Sequence, residues 1–123
     1  MSEVLRVLLV EDSENDALLI IRHLKKGGYD IQHARVFSQH DLDSALREQH
    51  WDIVISDHNM PNFSSDLTLS TVQKFNKDLP VILVSGTIGE EAAVNAMRTG
   101  AHDYIMKGNL TRLVPAVERE LRE

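Results

Sequence analysis

Five short apolar runs, each followed by a segment with helical spacing, constrain this chain more than any other feature. The runs are Leu5 to Val10, Ile31 to Val36, Ile53 to Ile55, Val81 to Val84 and Tyr104 to Met106. Their lengths suit strands. Strands alternating with helices imply a parallel sheet with right-handed crossovers and helices on both faces, a doubly wound α/β fold. Ser13 caps a first helix carrying Ala17, Leu18, Ile21 and Leu24 on one side, and Gly27-Gly28 ends it with left-handed residues. Ser38 precedes a second helix bearing Leu42, Ala45 and Leu46. Gly89 opens another, in which Ala92, Ala93, Ala96 and Met97 recur until Gly100. Between Ser64 and Lys77 the helix formers Thr68, Ser70, Thr71 and Val72 are weak, which predicts a frayed start. Pro115 lacks an N–H, which predicts an irregular or 3₁₀ first turn around Leu110 to Val114 before regular helix to about Arg122.

The 123 residues suit one domain spanning 1–123, without linker, repeat or low-complexity segment. A complete lack of cysteine excludes disulfides and cysteine-ligated metal or iron–sulfur sites. No apolar run approaches the ~20 residues of a membrane span, and Met1-Ser2-Glu3 leads into the first strand without a basic leader. A soluble, unprocessed, cytoplasmic protein is expected. With a net charge of −6 and no basic cluster beyond Lys25-Lys26, neither nucleic acid nor membrane is an expected partner. Proteins are.

The chemistry begins at Val54-Ile55-Ser56-Asp57-His58-Asn59-Met60-Pro61, an apolar strand that delivers an aspartate to its carboxyl end and breaks into a loop. Strand C-termini of an open parallel sheet form its ligand crevice. Alone, Asp57 is equally well read as a turn former before Asn59 and Pro61. Its company decides between the two readings. In a doubly wound sheet the ends of strands one, three, four and five meet at one edge, bringing Glu11-Asp12, Asp57, Ser85 and Lys107 together. Mutually repelling carboxylates raise one another's pKa unless a cation is shared. With oxygen ligands alone, that cation is a hard ion, Mg²⁺ or Mn²⁺.

In Val10-Glu11-Asp12-Ser13, Ser56-Asp57-His58-Asn59-Met60-Pro61, Val84-Ser85-Gly86-Thr87, Gly100-Ala101-His102-Asp103-Tyr104 and Lys107 the chain resembles the receiver domain of two-component response regulators, from Val4 to about Arg122. The resemblance implies a flavodoxin-like (βα)₅ fold with strand order 2-1-3-4-5. It implies that Asp57 is the phosphoacceptor, taking a phosphoryl group from a phosphohistidine on a histidine kinase or phosphotransfer protein. Asp12 would ligate the metal directly, Glu11 through water, and the backbone carbonyl of Asn59 would add an oxygen. Lys107 and Ser85 would contact phosphoryl oxygens, and Asn59 and Thr87 would tune dephosphorylation. After phosphorylation Ser85 would move and Tyr104 would rotate from an exposed to a buried position. That change would reshape the face of the fourth helix, fifth strand and fifth helix toward a downstream protein or linked domain.

Three positions depart from the family pattern: Ser85 where threonine is common, Gly108 where a proline follows the lysine through a cis bond, and Ser65 where glycine is usual. Ser85 keeps the hydroxyl but loosens its rotamer. Gly108 leaves the Lys107–Gly108 geometry open, and Ser65 predicts a rebuilt or more mobile loop after Asp57. The six histidines lack ligand spacing, Trp51 reads as a packing or rim residue, and Arg119, Glu120, Arg122 and Glu123 read as a solvated helix face.

The expected function is a signalling switch that catalyses only its own phosphorylation and dephosphorylation. A haloacid-dehalogenase-like phosphatase would carry a second aspartate two residues after the first, where Asn59 stands. A receiver-like interaction module independent of phosphorylation is the alternative, which Ser65 and Gly108 keep open.

Overall fold

A computed structural model describes residues 3–60, 63–86 and 90–122. Strands β1 (Glu3–Val10), β2 (Tyr29–Val36), β3 (Ile53–Asp57), β4 (Val81–Ser85) and β5 (Asp103–Met106) alternate with helices α1 (Glu14–Lys26), α2 (Gln39–Glu48), α3 (Ser65–Phe75), α4 (Glu90–Thr99) and α5 (Leu113–Arg122). The strands form one parallel sheet in the order β2-β1-β3-β4-β5, as the resemblance implies. Because successive side chains alternate across a strand, β1 sends Leu5, Val7 and Leu9 to one core with α1 and α5. Leu8 and Val10 enter the other core, with α2, α3 and α4. Strands β3 and β4 are buried along their whole length, as suits the centre of a sheet covered on both faces.

Several local expectations change. Helix α1 buries Ala17, Ile20, Ile21 and Leu24, while Leu18 faces outward at 49% exposure. Met97 on α4 is likewise exposed. Of the pair Gly27-Gly28, Gly28 alone is left-handed, with φ 100°, and Gly27 closes α1 in right-handed geometry with φ −77°. Helix α3 begins at Ser65 with a capped first turn, in which the Ser64 side chain accepts from the Leu67 N–H at 3.1 Å and satisfies one of the donors left open at a helix start. The 3₁₀ segment covers Lys107–Arg112, earlier than expected. Pro115 is then the third residue of α5, where an N–H has no intrahelical partner to lose. The Lys107–Gly108 bond is trans. Gly89 lies outside the described residues. Trp51 is buried, and its Nε1–H donates to the Ala45 carbonyl at 2.8 Å near the end of α2.

Candidate functional site

The carboxyl ends of β1, β3, β4 and β5 converge as the topology requires. Parallel register sets Val10 beside Ser56, Asp57 beside Val84, and Ser85 beside Met106. The residues that follow therefore share one crevice. Glu11, Asp12 and Asp57 each bring a carboxylate oxygen within 4.8 Å of the others, and they are the group of acids or histidines so arranged among the described residues. Glu11 and Asp57 are buried at 1% and 5% exposure, while Asp12 opens to solvent.

Lys107 leaves the end of β5 and places its Nζ among three acids. It donates to Asp57 Oδ2 at 3.2 Å and to Asp16 Oδ2 at 2.7 Å. It also forms an ion pair with Glu11 Oε1 at 2.9 Å. Burial pushes the Glu11 carboxyl up to about 7, with the Lys107 ammonium offsetting part of the rise and Asp57 adding to it. For Lys107, burial acts to lower the pKa, yet the bond to Asp16 and the contacts with Glu11 and Asp57 together hold it above the ordinary lysine value. The crevice thus holds more negative charge than one ammonium neutralises.

Around Asp57 the chain is closely tied. The Asn59 N–H donates to Asp57 Oδ1 at 2.9 Å, and the Asn59 side-chain amide donates to Ser85 Oγ at 2.7 Å. Ser85 is fully buried. Tyr104, expected to begin exposed, is buried at 6% in this structure. Its ring meets His58 edge to face, with centroids 5.5 Å apart. Thr87, Pro61 and Asn62 lie outside the described residues. Arg119 is paired with Asp103 at 2.9 Å and with Glu120 at 3.2 Å, so part of the expected solvated face is an ion-pair network.

Three neighbours were missed by sequence reasoning. Asp16 sits three residues after the cap Ser13, whose Oγ accepts from the Asp16 N–H at 3.3 Å. In sequence it looks like an ordinary first-turn acid. Arg35, at the end of β2, donates from Nη1 to the carbonyls of Glu11 at 3.2 Å and Asp12 at 3.4 Å. His58 lies 2.7 Å through Nδ1 from Ser65 Oγ. Nothing local to Arg35 or His58 signals these contacts.

Comparison with known proteins agrees with this architecture. The response regulator receiver domain family matches residues 7–118. The transcriptional regulatory protein ZraR of Salmonella typhimurium is 28% identical over 116 residues, covering 94% of this chain and 26% of that protein. The transcriptional regulatory protein VxrB of Vibrio cholerae is 36% identical over 104 residues, covering 82% of this chain and 39% of that protein. The chain therefore spans well under half the length of these curated relatives. In fold it is similar to the beryllofluoride-activated NtrC4 receiver domain, with TM-score 0.82, 20% identity and coverage of 95% of this chain and 96% of that one. It is also similar to a LuxR-family two-component response regulator from Aurantimonas, with TM-score 0.85, 21% identity and coverage of 98% and 86%. With the family matched along nearly the whole sequence and the fold shared, this chain belongs to the response regulator receiver domains of two-component systems.

Proposed function

We propose that the chain acts as a single phosphorylation-dependent receiver domain in which Asp57 accepts a phosphoryl group from the phosphohistidine of a histidine kinase or phosphotransfer protein. The observation that carries this reading is the Asp57 carboxylate at the strand end, 3.2 Å from the Lys107 ammonium and grouped with Glu11 and Asp12. An Asp57 carboxylate oxygen attacks phosphorus. The P–O bond forms as the P–N bond breaks, and its electron pair returns to the partner's imidazole nitrogen. Such transfer depends mainly on positioning and charge neutralisation. Lys107 supplies a point charge to a phosphoryl oxygen. Ser85 supplies a hydroxyl, exchanging its present contact with the Asn59 amide.

The donor set fits Mg²⁺ or Mn²⁺: hard oxygen ligands, a shortage of positive charge, and a buried Glu11 whose pKa is raised to about 7 in the absence of a dication. Glu11, Asp12, Asp57 and the Asn59 carbonyl would hold the ion. When bound it supplies the charge that lets an anionic nucleophile meet an anionic phosphoryl group.

Output runs through Ser85 and Tyr104 to the surface of α4, β5 and α5, and from there to a downstream protein or linked domain. Asn59 and Thr87 tune the lifetime of the acyl phosphate. The domain works in the cytoplasm, turns over no separate substrate and contacts neither nucleic acid nor membrane itself; no helix among the described residues is long and apolar enough to cross a membrane. Intact-mass measurement after incubation with Mg²⁺ and acetyl phosphate tests the reading. Wild type should gain one phosphoryl group and Asp57→Asn none. A folded wild type that gains nothing would instead support an interaction module independent of phosphorylation.

A further inference from the structure

We propose that Asp16 is a positioning residue for Lys107, giving its ammonium a partner on α1 outside the carboxylates that a divalent cation requires, so that it does not rest on those carboxylates alone. The inference rests on the phosphoacceptor reading of the site.

Three contacts of the ammonium differ in kind. Glu11 and Asp57, at 2.9 and 3.2 Å, belong to the cluster suited to a dication. Asp16, at 2.7 Å, makes the shortest contact and stands outside that cluster. Its backbone is fixed by the cap, since the Asp16 N–H is held by Ser13 Oγ at the start of α1. The Lys107 side chain is 19% exposed, and that of Asp16 36%. An ion pair there is partly shielded from water and stronger than one on open surface.

Removing the Asp16 charge leaves the ammonium two partners, both of them cation ligands. Lys107 then settles on Glu11 and Asp57, where it repels and competes with the metal. Asp16 thus lets one crevice hold an ammonium and a dication together. It touches neither the phosphoryl group nor the metal, and acts through Lys107.

The test uses Mg²⁺ alone and four variants, read by calorimetric titration. Asp16→Asn should weaken Mg²⁺ binding about fivefold, the range of a partly shielded ion pair. Glu14→Gln removes the same charge from the same helix turn without touching Lys107, and should change affinity less than about twofold. In a Lys107→Gln background, adding Asp16→Asn should have almost no effect, because the interaction it acts through is already gone. Unchanged affinity in Asp16→Asn, or an equal loss with and without Lys107, overturns the proposal.

A second readout needs no metal. The Lys107 ammonium NMR signal should be protected from exchange in the metal-free wild type and should broaden or vanish in Asp16→Asn. Its persistence counts against the tether. If wild type binds no Mg²⁺, the functional reading of the site fails, while the ammonium signal still decides whether Asp16 holds Lys107.

Discussion

His58 Nδ1 lies 2.7 Å from Ser65 Oγ, so the residue after Asp57 is tied to the first turn of α3. The same imidazole stands edge-on to Tyr104 on β5. One ring therefore links the strand that carries the proposed phosphoacceptor, the helix that follows it, and the aromatic proposed to report on its state. Ser65 is buried at 3% exposure and occupies the position where the family usually has glycine. The departure adds an anchor at this point.

Ser65→Gly and His58→Ala should each lower unfolding free energy by about 1 kcal/mol, the usual net value of such a hydrogen bond. Because each removes the same bond, the double variant should lose less than the sum. Urea unfolding of the four proteins checks this, and strict additivity would show that the contact carries no energy.

Glu11 predicts a pH dependence. Its pKa is raised from 4.5 to about 7 on folding, so its contribution to stability is full below 4.5 and is lost as pH rises through about 7. The loss is up to about 3 kcal/mol without a divalent cation. The stability difference between wild type and Glu11→Gln, measured across this window without metal, should shift against wild type as pH rises. Mg²⁺ should restore wild type at the alkaline end. A difference that stays flat with pH would contradict the assignment.

Lys107→Ala leaves Glu11 and Asp57 buried beside one another without their cation. Metal-free stability should fall by about 3 kcal/mol, as when one partner of a buried pair is removed. Mg²⁺ should recover a larger share of stability in the variant than it adds to wild type. Thermal melts with and without Mg²⁺ read both effects, and an equal Mg²⁺ shift in the two proteins would count against shared carboxylates.

Gly100 closes α4 with φ 126°, and a Cβ built there would run into the Gln73 side-chain amide. Gly100→Ala should therefore destabilise by more than about 1 kcal/mol. Adding Gln73→Ala should recover the steric part only, because the backbone strain remains. Full recovery in the double variant would show that φ costs nothing at this position.

The architecture was legible because it rests on short-range periodicity. Apolar runs at Leu5 to Val10 and Val81 to Val84 found their strands, and Ser13 and Ser38 found their caps, each accepting from an N–H three residues on. Where spacing alone chose a buried face, it failed at the margin. Leu18 and Ile20 are both compatible with helical spacing on α1, and only the packing of α1 on the sheet and α5 selects Ile20. At the start of α3 propensity alone was weighed, and the Ser64 cap that the structure shows was not.

By itself the sequence determined the alternation of strand and helix, and with it the doubly wound sheet that brings Glu11, Asp12, Asp57, Ser85 and Lys107 to one edge. Strand ends in a parallel sheet must meet, whatever their separation in the chain. Only the tertiary structure decided which side chains touch once there. Asp16 meets Lys107 across a separation of 91 residues, and Arg35 meets the Glu11 carbonyl across 24. Such contacts depend on how α1 and β2 lie against the sheet and on the reach of long side chains, and no local pattern encodes either.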